Sequence, residues 1–214
     1  MKKEINTMFK GTPEIIAQRR EEIVNACEKL YQTMSFKDIK LKDIGTETSF
    51  SRPTIYNYFQ TKEEIFLALF EREYIRWNAD LESILNSDQR YTRDQLAEQI
   101  ANTLEKREQL LKLLAMNNYD MEAESREELL ADFKRAYGKS LELFRAILMK
   151  HCPEMAETEL EGIVYMFFPF MFGIYPYSEV TEKQKKAMEA AQVGFRKHTI
   201  YEITYNCLIK LLKN

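Results

Sequence analysis

Glycine and proline are scarce in this 214-residue chain, at six and five residues. A fold of many short strands needs both at its turns, so their scarcity disfavours a β-sandwich or barrel. Histidine occurs only as His151 and His198, and neither stands in a recognisable constellation with a nucleophile or a carboxylate. G-x-S-x-G, H-E-x-x-H and a glycine-rich phosphate loop are all missing, which makes an enzyme the weakest of the function classes. Three cysteines, Cys27, Cys152 and Cys207, lack metal-ligand spacing and cannot all pair. Reduced, buried thiols are the expectation and a redox-sensing thiol the alternative. His151-Cys152 is a lone pair of potential ligands, so no metal and no cofactor is expected. No apolar run reaches the roughly 18 residues that a membrane helix requires. The opening Met1-Lys2-Lys3-Glu4-Ile5-Asn6 lacks the apolar stretch of a signal peptide, and a cytoplasmic protein is expected.

What is present favours helix. Glu, Lys, Leu, Met and Ala are plentiful, 45% of the residues are hydrophobic and 30% are charged. Charge says less: residues 1–70 hold 11 Lys and Arg against 10 Asp and Glu, and the remainder 20 against 24. The basic bias toward the N-terminus is too weak to identify a nucleic-acid binder, so motifs must carry that reading.

Residues 1–11 read as an arm. Thr12 then offers a helix cap, Pro13 suits the first position and Glu14 adds favourable charge, with Ile16, Ile23, Cys27 and Leu30 repeating at helical spacing up to about Tyr31. A second long pattern begins at Lys62, carries Ile65, Phe66, Leu69, Phe70 and Trp77, and runs to about Leu85. Further helical patterns cover about 93–117, 125–152, 157–174, 181–196 and 198–213. The expectation is an all-α chain of nine or ten helices, divided into residues 1–60 and 61–214.

Between the first two long helices lies the most informative stretch. Leu41-Lys42-Asp43-Ile44-Gly45-Thr46-Glu47-Thr48 reads as a short helix, Ser49-Phe50-Ser51 as a polar break, and Arg52-Pro53-Thr54-Ile55-Tyr56-Asn57-Tyr58-Phe59 as a second short helix. That is the layout of a helix-turn-helix, whose second helix enters a DNA major groove. Arg52 can take a guanine edge bidentately or pair with phosphate, Asn57 can take an adenine edge, and the Pro53 ring a thymine methyl. Ser51, Tyr56 and Tyr58 bring hydroxyls suited to phosphate, Thr54 one suited to phosphate or a base, and Lys40, Lys42 and Lys62 bring charge. Ile55 and Phe59 have core spacing.

From about Thr12 to Phe70 these ordered features resemble the DNA-binding domain of the TetR family of bacterial transcriptional repressors. The resemblance is carried by Phe36 and Ile39, by Leu41-Lys42-Asp43-Ile44, by Ser51 through Phe59, and by Lys62-Glu63-Glu64-Ile65. Two departures stand out. Ser49 occupies the turn position where glycine is usual, and Lys40 stands where a threonine often caps the helix before the turn; a differently shaped turn is expected.

The remaining two thirds match such a protein in length and helical character. Residues 165–177 hold seven aromatics in thirteen, apolar on both sides as a helix and so expected to be buried on both. The resemblance implies a homodimer built on two late helices, about 160–174 and 198–213, and an effector cavity among the middle helices. Tyr74, Trp77, Met116, Tyr119, Phe133, Tyr137, Phe144, Met166 and Phe170 are the candidate wall residues, suited to a small hydrophobic or aromatic inducer. Together these imply a ligand-responsive transcriptional repressor that binds a palindromic double-stranded DNA operator as a homodimer. The alternative is a helical small-molecule-binding or protein-interaction module with a vestigial helix-turn-helix.

Overall fold

The structure, a computed structural model, describes residues 12–116 and 118–213; the side chains of Arg52, Asn118 and Asp120, and the arm expected over residues 1–11, lie outside that description. Among the described residues there are eleven α-helices and no strand. They are α1 (Pro13–Thr33), α2 (Leu41–Thr46), α3 (Arg52–Ile55), α4 (Lys62–Asn86), α5 (Arg93–Glu105), α6 (Glu108–Leu114), α7 (Asn118–Ala123), α8 (Glu127–His151), α9 (Glu157–Ser178), α10 (Glu182–Ala190) and α11 (Ile200–Leu211).

The chain forms two compact units. Of the described residues, 12–71 and 118–134 make up the first, and 72–116 and 135–213 the second. The first therefore takes in the opening of α4 and a segment from the middle of the chain, which no shift in composition marks.

In the first unit, α1 starts where Thr12 accepts from the Ile15 amide and stops at Met34, whose extended backbone still donates to Leu30. Its inner stripe, Ile23, Val24, Cys27 and Tyr31, is buried. Ile39, Ile44, Ile55, Phe59, Ile65 and Phe66 complete the core at zero exposure, each contributing about 1.5–3 kcal/mol by leaving water. Two edge-to-face contacts hold the aromatic centre: Phe66 meets Tyr31 at 5.2 Å and Phe36 at 4.8 Å.

In the second unit α5, α10 and α11 start with reciprocal caps. Thr92 with Gln95, Thr181 with Gln184, and Thr199 with Glu202 each exchange side-chain and amide bonds over three residues. Helix α11 packs on α5 and on α9, and α6 packs on α9. The helix expected over 93–117 is broken, because Arg107 leaves helical geometry and donates to Asp80 Oδ2 at 2.7 Å and to the Arg76 carbonyl. Helix α10 stops at Ala190 rather than near 196. Gln192 adopts a left-handed φ of 56° and the Val193 amide turns back to Met188, a closing turn that ends a helix.

Helix α9 continues to Ser178 through Pro169 and Pro176. It is not buried on both sides as its sequence suggests. Phe167, Phe168, Met171 and Ile174 face the core, while Tyr165, Met166, Phe172 and Tyr177 are 44–74% exposed. The inner flank packs against α6 and α11, and among the described residues the other flank stays exposed. Among the described residues no helix is long and apolar enough to cross a membrane.

Candidate nucleic-acid interface

Lys40 is the N-cap of α2 and its amide donates to the Asp43 carboxylate at 2.9 Å, so only the acidic half of a capping box is formed and no cap side chain does what the threonine would. After α2, the Thr48 hydroxyl closes the turn, its one hydrogen shared between the Gly45 and Phe50 carbonyls at 3.0 and 3.1 Å. Ser49 does not take the left-handed conformation that would favour glycine. Its amide donates instead to the Glu22 carboxylate of α1. The serine is thus accommodated by a bond across to another helix.

Helix α3 is one turn long, with Ser51 extended before it and Pro53 in its first turn, where a missing amide hydrogen costs nothing. The turn is prolonged by the amides of Asn57, Tyr58 and Phe59, which bond back to Thr54 and Ile55. Ile55 and Phe59 point inward. Ser51, Pro53, Tyr56 and Asn57 are exposed on the other side, and the Ser51 and Thr54 hydroxyls lie 3.1 Å apart. Lys40 and Lys42 are exposed at the preceding helix. The Arg52 side chain, the strongest base-reading candidate, lies outside the described residues.

Two candidates have internal engagements. Tyr58 is 4% exposed and its hydroxyl accepts from Arg19 Nη1 at 3.2 Å. The Lys62 ammonium donates to the Phe36 and Ile39 carbonyls at 2.8 and 3.2 Å. Sequence reasoning did not single out Arg19 or Arg20. Arg20 stacks 4.6 Å from the Phe59 ring centroid. Burial pulls its guanidinium below its usual range, against the raising influence of Glu71.

The candidate effector residues divide. In the second unit Tyr74, Trp77, Tyr137 and Phe144 converge with Phe168: Tyr74 meets Tyr137 at 5.6 Å, and Phe168 meets Trp77, Tyr137 and Phe144 at 5.8, 5.9 and 5.7 Å. The Trp77 indole donates to Thr103 Oγ1 at 3.0 Å. Burial, with the neighbouring Tyr137, drives the Tyr74 phenol far above its ordinary value. Phe170 is half-buried and stacks on Phe167, which sequence reading left out of the set. Met116 is half-buried and Met166 is exposed. Phe133 and Tyr119 belong to the first unit, where Phe133 packs on Phe70 and Tyr119 is 84% exposed. Among the described residues no group of three or more His, Cys, Asp or Glu is placed to hold a metal ion.

A short helix, a closed polar turn and a second helix with an exposed hydroxyl, amide and phenol edge define a helix-turn-helix DNA-binding unit. The chain belongs to the TetR family of bacterial regulatory proteins: residues 23–69 match the model of that name, and residues 71–199 match the tetracyclin repressor-like C-terminal domain. No curated protein matches the chain. Solved structures share the fold at low identity. The fatty acid degradation regulator FadR from Bacillus halodurans is 16% identical with a TM-score of 0.58, over 96% of this chain and 98% of that one. FadR from Bacillus subtilis, in complex with stearoyl-CoA, is 14% identical with a TM-score of 0.59, over 90% and 97%. RolR, in complex with resorcinol, is 15% identical with a TM-score of 0.50, over 90% and 96%.

Proposed function

We propose that the protein is a homodimeric transcriptional repressor that binds a palindromic operator and releases it when a small hydrophobic or aromatic effector binds. The observation that carries this reading is the exposed edge of α3, where Ser51, Pro53, Tyr56 and Asn57 share one open side with Lys40 and Lys42 close by in sequence. Small and hydroxyl-bearing residues allow the backbone to come close to a base edge, and the flanking lysines supply counter-charge for phosphate. Two copies related by a dyad would place two such edges one helical turn of DNA apart.

The exposed flank of α9 supports dimerisation. Tyr165, Met166, Phe172 and Tyr177 form an apolar stripe larger than scattered surface residues. The self-complementary arrangement of a two-fold dimer covers such a stripe with its own copy. The effector would enter among Tyr74, Trp77, Tyr137 and Phe144. Aromatic walls with a few hydroxyls suit apolar or flat ligands, and solved relatives of the same fold hold stearoyl-CoA and resorcinol. The setting of such a regulator is the bacterial cytoplasm.

The test is selection of bound fragments from a library of bacterial genomic DNA, followed by anisotropy titration of the enriched duplex. An inverted repeat bound more tightly than its scrambled version supports the reading. Arg52→Ala should then cost about 1–3 kcal/mol on the enriched site and relax one position per half-site. Equal affinity for enriched and scrambled duplexes would sink the operator model.

A further inference from the structure

We propose that Arg126, which the chain supplies more than sixty residues after the helix-turn-helix, is the positioning residue that sets the recognition helix on its operator. This rests on the operator-binding reading above. Helix α3 has four residues, too few to keep its own direction, because a single turn is the costly nucleus of a helix. The packing of Ile55 and Phe59 seats it, and its direction against α4 depends further on what holds the connection 58–61.

That connection is held mainly from outside itself. Arg126 donates from Nη2 to the Tyr58 carbonyl at 3.0 Å, and from Nε and Nη2 to the two carboxylate oxygens of Glu64 at 2.7 and 2.9 Å. The Arg126 amide adds a bond to Glu64 at 3.2 Å. Glu64 also accepts the Gln60 amide at 2.7 Å, so the carboxylate closes the loop from inside while the guanidinium closes it from behind. Thr61 receives the Glu64 amide on its hydroxyl and donates that hydroxyl to the Glu124 carbonyl. Residues 124–126 therefore bond to three positions, 58, 61 and 64, at the junction of the recognition segment and α4.

The chemistry suits a fixed geometry. A guanidinium is a planar fork whose bidentate bond to a carboxylate specifies direction as well as distance. Glu64 is 1% exposed, so its charge stays buried only while Arg126 answers it. One cation thus bridges the end of the recognition segment and the first turn of α4. A lysine in its place would answer the charge but would not fix both elements at once.

The experiment uses the full chain, the enriched and scrambled duplexes and a salt series, with thermal unfolding of each variant. Arg126→Gln should lose about tenfold or more on the enriched duplex, roughly the worth of one base contact, with scrambled binding and salt slope unchanged. Arg126→Lys should recover only part of that loss. The double variant Arg126→Gln with Glu64→Gln removes the orphaned charge, so it should regain thermal stability and still bind the enriched duplex weakly. Recovery of both stability and affinity in the double variant would make Arg126 a stability residue and overturn the proposal. A parallel loss on both duplexes, with a shallower salt slope, would make it a phosphate contact and overturn it too. If the unmodified protein itself prefers neither duplex, the operator reading fails first, and the proposal with it.

Discussion

Lys62 holds Phe36 in two ways: its ammonium donates to the Phe36 carbonyl at 2.8 Å and lies 4.1 Å from the centroid of the Phe36 ring. A cation over an aromatic face and against a carbonyl is an internal fastening for the turn between α1 and α2. The same lysine donates to Ile39, leaving one of its three donors for other partners. Lys62→Ala should therefore lower unfolding stability by about 1.5–3 kcal/mol, the range for bonds to a charged group. If the remaining donor meets DNA, the variant will also weaken all duplexes alike and flatten the salt slope by roughly one charge per subunit. Calorimetry and salt-dependent binding read the two effects apart.

Acid should act on stability in two stages. Burial pulls His151 below its ordinary value of 6.5, aided by Lys150 and Arg90. The folded state then binds fewer protons than the unfolded chain, so stability falls as pH drops below 6.5 toward the lowered folded value. Glu64 behaves differently. Burial alone would raise its carboxyl, but the bonds from Arg126 and the Gln60 amide outweigh that and hold it low. Its contribution is complete above the ordinary carboxyl value of 4.5 and is lost as pH falls from there through the lowered folded value. Unfolding of Glu64→Gln beside the parent should show a constant gap near neutrality that closes only in the second stage.

Trp77 is fully buried and its indole has Thr103 as acceptor. Thr103→Val keeps the shape and removes the acceptor, so it should cost about 1–3 kcal/mol in denaturant unfolding. As the single tryptophan, Trp77 should also report an effector by a fluorescence change that parallels DNA release. Release without any change in Trp77 emission would move the effector away from this aromatic group.

Dimerisation through α9 should be sensitive to charge on its open flank. Met166→Glu with Phe172→Glu should leave helicity intact and shift sedimentation from twice the chain mass to the chain mass. A dimer that survives both substitutions would place the interface elsewhere.

The start of α1 was legible because its chemistry is local: Thr12-Pro13-Glu14 writes its cap into three neighbouring positions. The helix-turn-helix was legible for the same reason. Tyr58 shows what a motif can obscure: it stands three after Ile55 and beside Phe59, so helical spacing already puts it on the inner side. The break at Arg107 and the bridge from Arg126 to Glu64 were not legible. Each depends on a partner 27 or 62 residues away, and a single sequence carries no sign of which distant acid an arginine will meet. Hydrophobicity alone did not divide α9 into a core flank and an open one, since it does not tell a core from an exposed apolar surface.

The packing of α11 on α5 has a bearing on synthesis. Residues 93–105 leave the ribosome long before residues 200–211, at a pace of roughly 5–20 residues per second. The apolar side of α5 must therefore wait, uncovered, for several seconds while the intervening hundred residues are made. The described part of the first unit is complete once Lys134 has emerged. During translation the DNA-reading half thus gains its core first, and the half that would pair and sense remains the vulnerable partner, open to chaperones and to premature association until α11 arrives.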